Sequence, residues 1–127
     1  DKVKALTPRG THKALEPAFK MLPKENFSLV GVGGTITTLA AIDQKLALYD
    51  PRYIQGYVLT KEAVKAIESH LSALSLTERR QVPGLRPERA DIILAGIKIL
   101  RVILDQLPVA EVLVSESDIL DGIILSL

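Results

Sequence analysis

The sequence predicts an α/β fold in which short parallel strands are buried between helical layers. Three observations predict it. Phe27 to Val32 is a short apolar run rich in strand formers, and Gly33-Gly34 carries it straight into a helical stretch that reaches about Ala47. Val112-Leu113-Val114 is a second short apolar run, read as a second buried strand. Between the two, Glu88 to Leu107 has helical spacing. Its Ile92, Ile93, Gly96, Ile97, Leu100, Ile103, Leu104 and Leu107 cover well over half the circumference, and Asp91, Lys98, Arg101 and Asp105 leave only a narrow polar stripe. A helix that is apolar over most of its girth belongs between layers.

Taken in order, Asp1 to Thr7 reads as the end of a strand or connector, and Pro8-Arg9-Gly10-Thr11 as a turn and cap. A helix is predicted from about His12 to Leu22, with Leu15, Ala18, Phe19 and Leu22 at helical spacing, and Pro23 to Asn26 turns the chain into the glycine strand. Thr35 is the expected cap of the helix that runs to about Ala47. Tyr49 to Gly56 is a turn-rich connector ending in Tyr57-Val58-Leu59. Thr60 caps the next helix, Glu62 favours its positive end, and Val64, Ile67, Leu71 and Leu74 form one apolar stripe. Thr77 to Arg80 forms a short helical turn that Val82-Pro83-Gly84 ends. Pro87 then occupies the first turn of the long helix and Pro108 stops it, with a last helix from about Asp118.

At 127 residues, 47% of them hydrophobic, the chain has the material for one core and is expected to be a single domain. Sixteen Lys and Arg against fifteen Asp and Glu leave a net charge of +1, so no global field draws it to nucleic acid or to a membrane surface. No run approaches the roughly 18 apolar residues of a membrane helix, because Lys98, Arg101 and Asp105 interrupt the longest candidate. With no Cys there are no disulfides, thiolate metal sites or cysteine nucleophile, which fits a cytoplasmic protein. Two strands make a poor sheet, and the single Met stands at position 21. The chain is therefore expected to be a piece of a longer one, with further strands elsewhere.

The chemistry concentrates at the glycine turn. A helix that begins just after two glycines presents unpaired N–H groups and the positive end of its dipole to a phosphate or another anion. Gly-Gly-Thr fits neither a Walker loop nor the spaced-glycine dinucleotide fingerprint, so a tight strand-to-helix turn is the competing explanation. Thr37 and Thr38 follow in the first turn, where capping or packing is the safer role. Arg89 stands at a helix start beside a Pro-Gly loop. There it can fork onto phosphate oxygens or pair with Glu88 or Asp91. Arg79, Arg80 and Arg86 read as a solvated turn rather than a basic rim. Glu116, Asp118 and Asp121 could hold Mg²⁺, but acidic residues in a helix's first turn, capped by Ser115 or Ser117, are the preferred reading. His12 and His70 lack partners for a metal or a dyad and read as surface residues.

Three stretches together resemble the C-terminal half of exopolyphosphatase / guanosine pentaphosphate phosphohydrolase proteins: Gly34-Thr-Ile-Thr-Thr-Leu-Ala-Ala-Ile42, Val82-Pro-Gly-Leu-Arg-Pro-Glu-Arg-Ala-Asp-Ile-Ile-Leu-Ala-Gly-Ile-Lys-Ile-Leu100 and Val114-Ser-Glu-Ser-Asp-Ile-Leu-Asp-Gly122. The resemblance runs from about Phe27 to Leu125. It implies a partial actin-like lobe of the ribonuclease H-like superfamily that includes sugar kinases and heat-shock ATPases. Residues 1–127 would be one partial domain, most of the second lobe. The first lobe and the family's two phosphate loops would lie outside the chain, and so would the carboxylate that handles water and the ligands of Mg²⁺.

By the same resemblance the intact protein removes terminal phosphate from inorganic polyphosphate or guanosine pentaphosphate. This chain then supplies one wall of the inter-lobe cleft, with no catalytic residue and no metal ligand of its own. Gly33, Gly34, Thr35 and Arg89 are the expected phosphate-binding residues. Its partners are the substrate and the first lobe, with homodimerisation possible through the exposed cleft faces. The family's last motif usually reads Ser-Asp-x-Gly-Leu-Arg-Glu-Gly. Here Asp118 replaces the glycine and Leu120 the arginine, which weakens a phosphate site and points away from long-chain polyphosphate. Those departures support a rival, a non-catalytic nucleotide- or polyphosphate-binding regulatory module of the same fold. A third reading, an actin-like kinase, is disfavoured by the Pro-Glu-Arg-Ala-Asp stretch.

Overall fold

A computed structural model describes residues 28–116. The predicted helix from His12 to Leu22, the turns around it and the last helix from Asp118 lie outside these residues, as do His12, Ser117, Asp118, Leu120 and Asp121. The described elements run β1 (Val30–Gly31), α1 (Gly34–Asp43), α2 (Pro51–Ile54), β2 (Val58–Thr60), α3 (Lys61–Ser72), α4 (Leu76–Arg79), a 3₁₀ turn (Pro87–Arg89), α5 (Ile93–Gln106) and β3 (Glu111–Val114).

Three short strands form one sheet in the order β1-β3-β2. The two strands expected from their apolar runs, β1 and β3, are parallel neighbours, with Val30 opposite Leu113 and Gly31 opposite Val114. The third strand corrects the expected all-parallel sheet. Val58–Thr60, expected only as the tail of a connector, pairs antiparallel with β3, Leu59 opposite Val112. Three residues are too short for a period of two to show in the sequence, and it is the long-range pairing that makes them a strand. The helices pack on one face, where Leu59, Val112 and Val114 are fully buried among Leu39, Val64, Leu71, Ile97 and Leu104. On the other face Val30, Leu113 and Val58 stand exposed in one row across the three strands.

Helix α1 is buried along its length from Ile36 to Ile42, Thr37 apart, because Ala40 and Ala41 let neighbours close in. It ends four residues earlier than expected. Lys45 takes a left-handed φ of 54° while its N–H and that of Leu46 close onto the carbonyls of Ile42 and Ala41 at 3.0 and 3.1 Å. Tyr57, just before β2, donates its hydroxyl to the carboxylate of Asp43 and pins that end of α1. Gly84, with φ +91°, lies so close to α1 that a Cβ there would sit 2.5 Å from the Ala41 carbonyl carbon. Only glycine fits both conditions.

Helix α3 follows expectation. The Thr60 hydroxyl accepts from the Ala63 N–H at 3.1 Å, and Val64, Ile67 and Leu71 are buried. The connector before β2 contains a short helix the sequence reading missed, α2, whose cap is the Asp50 carboxylate accepting from the Arg52 N–H. Ser75 and Glu78 form a reciprocal capping box on α4. The largest departure is in the long helix. Instead of one helix from Glu88, the chain makes a 3₁₀ turn with Pro87 at its start, in which Ala90 and Ile92 bond three residues back to Pro87 and Arg89. Helix α5 proper starts only at Ile93, leaving Ile92 exposed although the apolar stripe placed it in the core. In this tighter turn Ala90 is completely buried and Ile92 faces outward.

Candidate functional site

The carboxyl ends of the parallel strands β1 and β3 meet at one edge of the sheet, and α1 begins there. The Ser115 N–H continues the ladder onto the Gly31 carbonyl at 2.9 Å, and the Gly56 N–H reaches the Val114 carbonyl at 2.9 Å. In an open α/β sheet this edge is the natural place for a ligand.

Gly33 caps α1 through its backbone, with φ 102° and ψ 172° and open space where a Cβ would stand. Thr35, expected as the cap, is instead inside the first turn, and no side chain caps this helix. The first N–H to find a helical acceptor is that of Thr37, on the Gly33 carbonyl at 3.1 Å, so the N–H groups ahead of it are the ones a helix start leaves to an outside acceptor. The Thr37 hydroxyl also turns back onto the Gly33 and Gly34 carbonyls at 3.1 and 3.3 Å, which stiffens the turn and keeps that hydroxyl from the front. Thr38 is buried. Both threonines therefore do the local work expected of them.

All four predicted phosphate-binding residues come together. A Cβ on Gly34 would lie 2.7 Å from the guanidinium carbon of Arg89 and 2.8 Å from its Nη2, so the absence of a side chain at Gly34 makes the seat for Arg89. Thr35 rests in the same way on Gly96 of α5, where a Cβ would meet its Cγ2 at 2.9 Å. The Arg89 side chain forms no hydrogen bond or ion pair with the described residues, although Glu88 and Asp91 are near in sequence. Four other described arginines have side-chain partners, whereas Arg80 is exposed to solvent. Arg101 is paired with Glu68 at 2.6 Å and Arg52 with Asp50 at 2.7 Å. Arg86 stacks 5.0 Å from the Tyr49 ring centroid. Arg79, expected as a solvated turn residue, is half-buried and donates to the Ala90 and Leu74 carbonyls at 3.1 and 3.3 Å. Those two bonds hold the loop that presents Arg89.

Glu116 stands at the end of β3. Its N–H donates to the Gln55 side-chain oxygen at 2.7 Å, a contact for which the sequence carried no signal. Its Oε1 is buried and has no hydrogen-bond partner among the described residues. Among the described residues no group of three or more His, Cys, Asp or Glu could hold a metal ion. His70 is exposed, as expected. Among the described residues no helix is long and apolar enough to cross a membrane.

This fold defines an α/β unit with a glycine turn, and Arg89 seated on it, at the carboxyl ends of its parallel strands. Residues 7–127 match the Ppx/GppA phosphatase family, and the chain belongs to that family. It is 32% identical over 124 residues to Exopolyphosphatase 2 of Mycobacterium tuberculosis, covering 94% of this chain and 39% of that protein. It is 40% identical over 103 residues to a Bifunctional 3-dehydroquinate synthase/phosphatase of Fusobacterium nucleatum, covering 80% of this chain and 15% of that protein. The solved PPX-GPPA enzyme of Aquifex aeolicus superposes with a TM-score of 0.83 at 30% identity, over 94% of this chain and 39% of that one. The chain thus spans well under half the length of these relatives.

Proposed function

We propose that the full-length protein is a phosphohydrolase that removes the terminal phosphate of inorganic polyphosphate or guanosine pentaphosphate, and that this chain forms one wall of its inter-lobe cleft. The observation that carries the reading is Arg89, half-buried, seated on Gly34 at the start of α1 and without a protein acceptor among the described residues. An arginine held in place but unpaired is ready for a phosphate, which it grips with two parallel hydrogen bonds. The leading N–H groups of α1, at Gly34 and Thr35, face the same anion and stabilise charge on its oxygens. Gly33 keeps the approach open. The reacting water, its carboxylate and Mg²⁺ belong to parts of the protein outside this chain, in the first lobe and its phosphate loops. The cytoplasm, where both substrates would be met, is the proposed location.

Phosphate release from both substrates with Mg²⁺ tests this in the full-length protein and in the 127-residue chain alone. The full-length protein is expected to be active and the chain inert. Arg89→Ala should lower kcat/KM about 10- to 100-fold, as expected for losing a charge-assisted bond. An unchanged kcat/KM removes Arg89 from the site. Hydrolysis by the chain alone would place the chemistry within it, and binding without release by the full-length protein favours the regulatory-module reading.

A further inference from the structure

Glu116 is not explained by the fold. Along β3 the residues alternate, Val112 and Val114 buried toward the helices and Glu111 and Leu113 exposed, and Glu116, two residues past the strand, is half-buried. The parallel register pairs Val30 with Leu113 and Gly31 with Val114, and the ladder continues through the Ser115 N–H to the Gly31 carbonyl, so Glu116 follows at the sheet edge where α1 begins. The Gln55 side chain fixes its backbone, and its Oε1 is buried with no donor among the described residues. A carboxylate oxygen taken out of water and left without a donor costs folding free energy. Among other described carboxylates, Asp43 takes the Tyr57 hydroxyl, Asp50 takes Arg52 and Glu78 takes the Ser75 N–H, whereas Glu62, Glu88, Asp91 and Glu111 are exposed to water. Glu68 and Arg101 each keep one buried atom without a partner, but they do so within a mutual ion pair between α3 and α5, which accounts for them structurally.

We propose that Glu116 is a specificity-determining residue of the cleft, accepting a hydrogen bond from a hydroxyl or N–H on the organic group that carries the phosphate chain. This rests on the reading of the glycine turn and Arg89 as the phosphate site. Arg89 and the start of α1 offer donors and positive charge, while Glu116, two residues past β3 at the same sheet edge, offers an acceptor and negative charge. Inorganic polyphosphate presents acceptor oxygens and negative charge throughout, so it gains from the first and is repelled by the second. A phosphorylated sugar or nucleoside satisfies both. A site that hydrogen-bonds a substrate's hydroxyl rejects an analogue lacking it far more strongly than an apolar pocket does.

The test is kcat/KM of the full-length protein for guanosine pentaphosphate and for inorganic polyphosphate, in wild type, Glu116→Leu, Glu116→Ala and Glu116→Gln, with unchanged melting of each variant as the folding control. Wild type should favour the nucleotide. Leu and Ala, which remove the acceptor, should lower kcat/KM for the nucleotide about 10- to 100-fold and leave polyphosphate unchanged or improved, and Gln, which keeps an acceptor oxygen, should lose less. An equal fall on both substrates assigns Glu116 to structure or to bound water and overturns the proposal, as does no change on either. If wild type releases phosphate from neither substrate, the phosphate-site reading fails and this one with it. An active wild type with an unmoved substrate ratio sinks this one alone.

Discussion

Gly34 and Gly84 both stand where a methyl group has no room, yet the two obstacles differ in kind. At Gly34 the obstacle is the guanidinium of Arg89, the far end of a flexible side chain. At Gly84 it is the backbone of Ala41 and Ile42, and the φ of +91° is strained for any other residue. Gly34→Ala should therefore leave the urea midpoint nearly unchanged, within about 0.5 kcal/mol, while displacing Arg89 and lowering phosphate release in the full-length protein. Gly84→Ala should cost about 1–3 kcal/mol. Equal stability losses would mean that Arg89 is locked in place by something other than its seat. Both glycines were visible in the sequence, and so was the suitability of Arg89 for phosphate. That Gly34 is the seat for Arg89 was not, because fifty-four residues of chain and the 3₁₀ turn lie between them.

Elements join through a few polar contacts, and the link between α1 and β2 is one that titrates. Burial first, and the hydrogen bond to Asp43 second, push the Tyr57 phenol from its usual 10 up to about 12. A group whose pKa is raised on folding contributes stability that is fully present below the unfolded value and lost as pH climbs through the folded one. The stability difference between wild type and Tyr57→Phe should therefore hold steady up to about pH 10 and shrink between pH 10 and about 12, read from urea midpoints across that range. A difference that stays constant through pH 12 would show that the phenol is not the linked group. The short helix α4 owes its existence to its own cap: the Ser75 hydrogen bonds hold the Glu78 carboxyl below its usual range. Local signals of that kind were legible for α3 and its Thr60 cap. They failed for the start of α5, where a 3₁₀ turn with Ala90 buried interrupts a continuous helical pattern that included Ile92.

The position of the glycine turn depends on how closely α1 and α5 approach. Gly96 of α5 receives the Thr35 side chain, so the face of α5 at that point sets where the start of α1 lies. Gly96→Ala should push the two apart and cost about 1–3 kcal/mol, with reduced phosphate release in the full-length protein as the glycine turn moves. Thr35→Ala in the same molecule should restore much of the stability, because the methyl at position 96 then meets space that the threonine vacated, giving a favourable coupling in a double-mutant cycle. Additive losses would show that Gly96 matters to α5 alone.

The sequence by itself determined the α/β class, the caps and stripe of α3, the two parallel strands and the glycine turn that opens α1, because each depends on local periodicity or on what one residue type allows its own backbone. It also carried the family resemblance, since that lies in contiguous stretches. Tertiary structure decided the rest. The pairing that makes Val58–Thr60 a strand, the 3₁₀ turn that turns Ile92 outward, the seat of Arg89 on Gly34 and the buried oxygen of Glu116 all arise between residues far apart in the chain. Such contacts exist only once a shared core has closed, and no local pattern records them.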